Sequence, residues 1–429
     1  MTSKIHQVDE TIQQDLWDLL KDLYSIPRTI MGKGFEDSLA LIEKIIPIER
    51  LTFSTGTAVE SWTIPSEWHV HSGIIETLDG KTVLDYENNT MHLWQYSVPV
   101  DIELSREDLE GHLSTAINSH DSIPHTVTFY NKQWGFSLSE SQKNTLTDKR
   151  YRVKINTSFT DGVLSIGQIV IPGKVKEEVL IDAVLSCPSL GNNLTGPVIA
   201  CFLAQKLLKR DDRYFSYRIV FTPETIGPLV LCNLVDNFAD NIVGGYTLVN
   251  LGDANYFNYK RSRAGNTVAD HAMEHSLFWS NMKYKVKEFD VRTGSCGNEK
   301  AYNSLGCEVP IGSIHRSPAG SYPEYDTSSD DLTLVNKKQL VDSFRVCQGA
   351  IETLERSQIF RHTFKGEPFL TGYGLYPKIE KDEERIPYDY LMSFTTGKMT
   401  LVDIANRANL CVVEFDAAVK QMLNVGLIE

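Results

Sequence analysis

The spacing of apolar side chains changes along the chain and predicts regions of different secondary structure. Residues 8–24 place leucine and isoleucine three or four positions apart, which predicts an amphipathic helix, and a second helical pattern follows at 36–46. From 64 to 173, short strand-like runs alternate with polar turns and are interrupted by one short helix near 105–117. This stretch is therefore predicted to be a β-rich insertion.

From Glu178 onward, predicted strands alternate with predicted helices. The run 179–185, VLIDAVL, has the continuous apolar character of a buried strand, and 197–210 follows it as a helix. Further strand and helix patterns succeed one another up to a long helix at 334–357. This alternation predicts a mainly parallel sheet that is covered by helices on both faces.

The last part of the chain is predicted to be a separate small domain. An acidic linker at 378–385 precedes two short helical patterns and a final GLIE, an order typical of a winged helix. The segment 412–425 carries two acidic residues and one lysine, whereas DNA recognition needs cations that neutralise phosphates. We therefore expect this domain to serve packing or dimerisation, so a homo-oligomer is a possible assembly.

Length and charge narrow the classes of function. A chain of 429 residues is expected to form two or three domains. The net charge of −14 argues against nucleic acid or an anionic membrane as partner. No apolar run reaches the roughly 18 residues of a membrane span. Seven scattered cysteines without a CxxC pair favour reduced thiols in a cytoplasmic protein.

The loop LSCPSLGNNLTGP, residues 185–197, is the first candidate for chemistry. It joins a predicted buried strand to a predicted helix, and ligands bind at the carboxyl ends of such strands. The loop brings a thiol, a hydroxyl and two amides together in Cys187, Ser189, Asn192 and Asn193. It could form a catalytic loop, the remains of one, or a simple turn.

Several ordered motifs resemble those of bacterial aminopeptidase-like proteins with a zinc-peptidase α/β domain. The resemblance covers nearly the whole chain and implies an α/β fold, a phosphorylase/hydrolase-like mixed-sheet sandwich with an inserted β-rich domain and a C-terminal winged-helix domain. It implies an α/β domain of residues 1–63 and 174–376, an insertion of 64–173 and a winged helix of 377–429. The motifs are IPSEWHVHSG (64–73), LWQYSVPVDIELSREDLEGHL (93–113), CPSLGNNLTGPVIACFLA (187–204), FTPETIGPL (221–229), RAGNTVADHA (263–272) and PIGSIHRSPAGSYPEYDTSSDDL (310–332).

The residues that bind zinc in this family differ here. Cys187 stands at a histidine position, Asn298 at an acidic one, and Asp326, in EYDTS, at another histidine position. Glu224, in PETIG, matches the family's general base or site carboxylate. Zinc is held by imidazole, thiolate or carboxylate, and an amide is a poor ligand. The resemblance therefore implies a degenerate dizinc site that binds no cofactor, or else zinc through Cys187 and Asp326.

Each candidate has a functional and an ordinary interpretation. Cys187 is predicted as a nucleophile or ligand, or as a half-buried thiol; Glu224 is predicted as a catalytic base, or as a helix cap. Asp330 and Asp331 are interpreted as charge at a helix start. His69 and His71, spaced HxH on one strand face, form a weak metal motif. The predicted substrate-binding residues are Asn192, Asn193, Arg263, Asn298, Arg316 and Tyr325.

These observations lead to one principal hypothesis and two alternatives. The chain is predicted to bind a peptide-like or aminoacyl small molecule, or to act on an amide or acyl bond without a dizinc centre. One alternative is an active metallo-aminopeptidase or amidohydrolase with a rebuilt Cys/Glu/Asp zinc site. The other is a scaffold that acts through its β-rich and winged-helix domains. Members of the resembled family are often placed near polysaccharide or natural-product biosynthesis, and the resemblance suggests such a pathway as the setting of this protein.

Overall fold

The computed structural model describes residues 6, 11–117, 119–186, 188, 190–292, 297–375 and 382–429. Of the described helices, none is both long and apolar enough to cross a membrane. The helices are α1 (Ile12–Tyr24), α2 (Lys33–Glu43), α3 (Arg106–Glu110), α4 (Glu140–Asn144), α5 (Thr195–Leu208), α6 (Ile226–Leu234), α7 (Val268–Trp279), α8 (Gly297–Tyr302), α9 (Lys337–Leu354), α10 (Asp382–Phe394), α11 (Leu401–Ala408) and α12 (Asp416–Asn424).

The strands form one large sheet and several small ones. They are β1 (Glu49–Ser54), β2 (Ala58–Val59), β3 (Trp62–Thr63), β4 (Glu67–Thr77), β5 (Thr82–Asp85), β6 (Val100–Ser105), β7 (Leu113–Ser114), β8 (Phe136–Ser137), β9 (Arg150–Thr160), β10 (Val163–Ile171), β11 (Glu178–Val184), β12 (Ser216–Thr222), β13 (Ile242–Leu248), β14 (Phe257–Lys260), β15 (Tyr284–Lys287), β16 (Ile311–His315), β17 (Ile359–Arg361) and β18 (Thr396–Thr400).

The central sheet has eight strands in the order β1-β10-β12-β11-β13-β16-β14-β15. The middle of the sheet, from β12 to β16, is parallel, while β1, β10 and the β14–β16 pair introduce antiparallel contacts. The predicted mixed α/β sheet is therefore confirmed. All seven residues of β11 are buried, because helices or the inserted domain cover both faces of this strand.

Alternate residues of β11 serve two different cores. Val179, Ile181 and Ala183 pack in a cluster with apolar residues of α1, α5, α7 and α9. Leu180 points to the other face, where it joins a cluster with α6 and with the apolar side of the inserted domain. This alternation is the period of two expected of a strand. It also places the polar Asp182 on the second face, where it accepts hydrogen bonds from Thr222 of β12 and from α8.

The inserted domain is built on a four-stranded antiparallel sheet with the order β5-β4-β9-β6. β10, which lies inside the predicted insertion of 64–173, pairs instead with β1 and β12 in the central sheet. Residues 161–162 alone connect β9 to β10. Because a strand pattern does not reveal which sheet the strand joins, the sequence could not show this crossing between the two domains.

The C-terminal domain has its own apolar core, formed by residues from β17, from the segment 370–375 and from α10 to the chain end. Its helix α11 packs on α7 of the α/β domain. There the Nδ1 atom of the buried His275 lies 2.6 Å from Asn406 Oδ1, and its Nε2 accepts a hydrogen bond from the Val412 N–H at 3.1 Å. His271 pairs with Asp403 at 3.0 Å. These contacts fix the small domain against the large one.

Among the cysteines that the structure describes, one pair is oxidised. Cys232 at the end of α6 and Cys307 after α8 form a disulfide with a Cα–Cα distance of 5.6 Å. The prediction of reduced thiols is therefore wrong for this pair, which only the packing of α6 against α8 brings together across 75 residues. The other described cysteines, Cys201, Cys347 and Cys411, are buried and form no disulfide.

Candidate ligand-binding site

A cavity of about 280 Å³ opens at the carboxyl ends of three neighbouring parallel strands. Val184 ends β11, Glu224 follows β12, and Val249 follows β13; all three line the cavity. This is the edge at which ligands bind in open α/β sheets. The remaining lining residues come from the inserted domain and from the loops around the sheet: Ile30, Trp62, Gln95, His125, Val127, Phe129, Tyr130, Ser186, Leu190, Asn193, Thr225, Ile226, Ala319, Tyr325, Asp326 and Asp330.

The wall of this cavity is mainly apolar, with acidic groups on one part of it. Trp62 and Tyr130 contact each other edge to face, with ring centroids 6.2 Å apart, and both remain substantially exposed. The ionisable groups are the carboxyls of Glu224, Asp326 and Asp330, together with the imidazole of His125. The described residues that line it include no lysine or arginine. Such a wall favours a ligand with an apolar body and a positive charge.

Glu224 is held in place by a strained backbone and by the start of α8. Thr225 adopts φ 63°, which is unusual for a β-branched residue. Its N–H donates to Asn298 Oδ1 at 2.7 Å, while the Gly297 N–H donates to Glu224 Oε1 at 2.9 Å. A Cβ at position 297 would overlap with the Thr225 hydroxyl, so glycine permits this approach. Burial raises the pKa of Glu224 above its usual value.

Asn298 lies beneath Glu224 and has no exposed surface. Its amide nitrogen donates to Asp182 Oδ2 at 2.9 Å and Oδ1 at 3.2 Å, and to Thr222 Oγ1 at 2.8 Å. Tyr302 also donates to Asp182, at 3.2 Å. Burial raises the pKa of Asp182 to about 6 in spite of these donors. Asn298, predicted to bind substrate, is thus placed under the site and not on the wall of the cavity.

Asn192 and Asp330 form a second buried network. The Asn192 N–H donates to Asp330 Oδ1 at 2.6 Å, and its side chain bonds to Asp253 and to the Gly252 N–H. Asn192 is fully buried and does not line the cavity, whereas the next residue, Asn193, does. Burial raises the pKa of Asp330 to about 7. Asp330 therefore belongs to the site, although the sequence suggested only a helix-start charge.

The inserted domain is joined directly to the loop that carries Asp326. His125 N–H donates to Asp326 O at 2.9 Å, and Ser328 N–H donates to Ile123 O at 2.8 Å, so the two segments pair like short antiparallel strands. The side chains meet as well, with His125 Nδ1 2.9 Å from Asp326 Oδ1. Asp326 itself has φ 56°, in the left-handed region. Asp326 and Tyr325, both predicted, line the cavity.

Neither of the two predicted arginines reaches the cavity. Arg263 pairs with Glu308 at 2.8 Å near the surface. Arg316 is buried, its guanidinium donates to Ser343 Oγ at 2.9 Å and lies over the Phe257 ring, and burial lowers its pKa to about 10. These positions correct the expectation that both are pocket cations, because each guanidinium already has protein partners elsewhere.

The described residues do not fit a zinc centre. Such a centre usually takes three protein donors and a water molecule. Within the described ranges, no group of three or more His, Cys, Asp or Glu side chains is placed to hold a metal ion. The amide oxygens of Asn192 and Asn298 are already occupied by backbone N–H groups. Cys187, predicted as catalytic residue and as metal ligand, lies outside the described residues, as do Ser189 and Cys296.

The two histidines of the HxH motif in the inserted domain contact hydroxyl groups of β9. His69 Nε2 is 2.9 Å from Thr160 Oγ1, and His71 Nε2 is 3.0 Å from Ser158 Oγ. His315, from the motif PIGSIHR, is buried in the central sheet, and burial lowers its pKa to about 3. The histidine of the cavity is instead His125. Its position depends on pairing across 201 residues, so no local pattern could have indicated it.

Comparisons with known proteins agree with this fold. A protein of Clostridium acetobutylicum, named as a candidate polysaccharide biosynthesis protein with an aminopeptidase-like domain, is 33% identical over 403 residues, covering 92% of each chain. A solved structure of a candidate peptidase from the same organism matches with a TM-score of 0.89 and 30% identity, covering 98% of this chain and 97% of that one.

More distant solved structures share the fold alone. The zinc aminopeptidase BSAP from Bacillus subtilis matches with a TM-score of 0.59 and 10% identity, covering 79% of this chain and 94% of its own. The peptidase M28 precursor from Shewanella amazonensis matches with a TM-score of 0.57 and 10% identity, covering 85% and 98%.

Family models account for nearly the whole chain. The model described as Domain of unknown function (DUF4910) matches residues 17–357, and a winged helix-turn-helix model matches 358–429. The second match includes β17, which pairs with β18, so the small domain begins before the predicted residue 377. The chain therefore belongs to the DUF4910 family of aminopeptidase-like proteins and carries a C-terminal winged helix-turn-helix domain.

Proposed function

We propose that this protein binds a peptide-like or aminoacyl small molecule through its free amino group, in the cavity at the carboxyl ends of β11, β12 and β13. One observation carries the proposal: the cavity is apolar, bears three carboxyl groups, and has no lysine or arginine among its described lining residues. An ammonium group would lie against the carboxylates, and an apolar side chain would fill the remaining space.

The raised pKa values of two of these carboxyls support a cationic ligand. Burial raises the pKa of Glu224 and of Asp330, which means that an uncompensated negative charge is unfavourable there. A bound ammonium would supply the missing positive charge. Since the described residues do not fit a zinc centre, the proposal requires none. The name of the Clostridium relative supports polysaccharide biosynthesis as the setting in which such a ligand occurs.

Isothermal titration calorimetry with three amides tests this proposal. Leucinamide carries an ammonium and an isobutyl group, N-acetyl-leucinamide lacks the charge, and glycinamide lacks the side chain. Burying four carbons at about 0.8 kcal/mol each, or about 3.2 kcal/mol in total, predicts that leucinamide binds roughly two-hundredfold more tightly than glycinamide. N-acetyl-leucinamide should bind at least about tenfold more weakly than leucinamide, because it loses a charge-assisted hydrogen bond.

A matched pair of variants locates the binding. Glu224→Gln removes one cavity charge and should weaken leucinamide binding by about tenfold or more. Glu177→Gln makes the same change at an exposed residue before β11, at the opposite edge of the sheet, and should leave binding unchanged. Equal affinity for the charged and acetylated amides would refute the proposal, as would equal loss in both variants.

A further inference from the structure

The imidazole of His125 occupies an unusual position for a residue of the inserted domain. It lines the cavity and also a neighbouring groove of about 520 Å³, and Gln95 lines both as well. The backbone pairing of 123–125 with 326–328 holds it there. His125 is therefore built into the partition between two spaces that a ligand can enter.

The two ring nitrogens of His125 have different surroundings. Nδ1 is 2.9 Å from Asp326 Oδ1, so the N–H group belongs on Nδ1, where the carboxylate accepts it. This leaves Nε2 with a lone pair. Nε2 is buried, and none of the residues in the described ranges donates a hydrogen bond to it. A buried acceptor without a donor is unfavourable and calls for a partner from elsewhere.

We propose that Asp326 and His125 form a specificity-determining pair, in which Asp326 orients the ring and His125 Nε2 accepts a hydrogen bond from an N–H of the bound ligand. This inference rests on the proposed function and deepens it. The acidic wall selects for positive charge, which any cation satisfies. The imidazole adds a demand for a directed N–H donor, which a primary ammonium satisfies and a quaternary one does not.

Two probes of equal charge separate these demands. Leucinamide offers N–H donors, while N,N,N-trimethyl-leucinamide keeps the positive charge and the isobutyl group but has no ammonium N–H. Calorimetry at about pH 7 measures both dissociation constants. At this pH an ordinary imidazole is mostly neutral, and an α-amino group, with an ordinary pKa of about 7.7–8.0, is mostly protonated. For the wild-type protein, leucinamide should bind about tenfold more tightly than the trimethylated probe, or better.

Two variants of His125 show whether the acceptor is responsible. His125→Asn keeps an amide N–H that can donate to Asp326 but lacks an acceptor at the position of Nε2. His125→Gln can place its carbonyl oxygen there. We expect His125→Asn to weaken leucinamide binding by about tenfold, His125→Gln to restore part of it, and both to leave the trimethylated probe within about twofold of wild type. Circular dichroism confirms that the variants are folded.

The outcomes distinguish this inference from the proposal beneath it. If wild-type protein binds both probes equally, or if His125→Asn weakens both equally, the acceptor role is refuted while cation binding by the cavity stands. If the wild type binds neither probe, the proposed function itself fails. Loss confined to leucinamide, with partial recovery in His125→Gln, supports the pair.

Discussion

Replacing Asn298 by aspartate probes the layer directly beneath the cavity. The Asn298 amide nitrogen now donates to both oxygens of Asp182 and to Thr222, and its oxygen accepts from the Thr225 N–H at 2.7 Å. Aspartate retains an acceptor for Thr225 but provides no donor for Asp182. It also places a second carboxyl group beside the first in a site without exposed surface.

The size of the effect follows from these contacts. Hydrogen bonds to a charged group contribute about 1.5–3 kcal/mol each, and leaving a buried polar group without its partner costs about 1–3 kcal/mol. The pKa of Asp182 is already raised to about 6, so a second carboxyl group should force the pair to retain a proton at neutral pH. We therefore expect Asn298→Asp to lower the free energy of unfolding by about 4 kcal/mol at pH 7.

The pH dependence gives this prediction a definite sign. The folded variant binds a proton more tightly than the unfolded chain does, so its stability deficit should shrink as pH falls from about 7 towards 5. Urea unfolding followed by circular dichroism at both pH values measures the difference. Asn144→Asp, an exposed residue of α4, is the matched control and should change stability little. Wild-type stability for Asn298→Asp would refute the assignment of Asn298 as a buried donor.

Three further predictions concern other parts of the molecule. Reducing the Cys232–Cys307 disulfide, which closes a loop of 75 residues, should lower the free energy of unfolding by about 4 kcal/mol. Urea unfolding with and without dithiothreitol measures this difference, and an unchanged free energy of unfolding would contradict the presence of the disulfide. A cationic ligand should lower the raised pKa of Asp330, so leucinamide binding at about pH 6.5 should release protons and should strengthen as pH rises from about 5.5 to 7. In this range the amino group of leucinamide, with an ordinary pKa of about 7.7–8.0, stays mostly protonated. Calorimetry in two buffers of different ionisation enthalpy would show identical heats if this is wrong. Asp403 raises the pKa of His271, so docking of the C-terminal domain on α7 should be strongest below about pH 6.5 and should weaken as pH rises through the raised pKa. Hydrogen exchange of the α11 amides measures this docking, and the variant His271→Ala should lose the pH dependence.

The central sheet could be predicted because its strands and helices have strong local patterns. The run of β11 and the apolar α5 that follows it give the alternation of an α/β domain without long-range information. β14, only four residues long, and α8, within a glycine-rich stretch that resembles a flexible loop, carry no such pattern. Both depend on tertiary packing, which overrides weak local preference.

The candidate site could be predicted only in part, for the same reason. Glu224 and Asp326 follow from motifs at strand and loop ends, and both line the cavity. Arg316 belongs to an equally clear motif, and Asn298 matches a site position of the resembled family, yet the structure buries both with protein partners. Sequence identifies polar residues near a site but not which way each side chain points. The inserted domain contributes His125 to the site through long-range contacts, which no local sequence pattern indicates.

A crystal structure of the protein soaked with leucinamide would show directly whether the cavity holds an ammonium group against its carboxyls. We predict density for one molecule in the cavity, with its ammonium within hydrogen-bond distance of the carboxyl groups of Glu224 or Asp326 and of His125 Nε2, and its isobutyl group against the apolar wall. An empty cavity at saturating ligand, or an ammonium directed away from these carboxyls, would refute the proposed function.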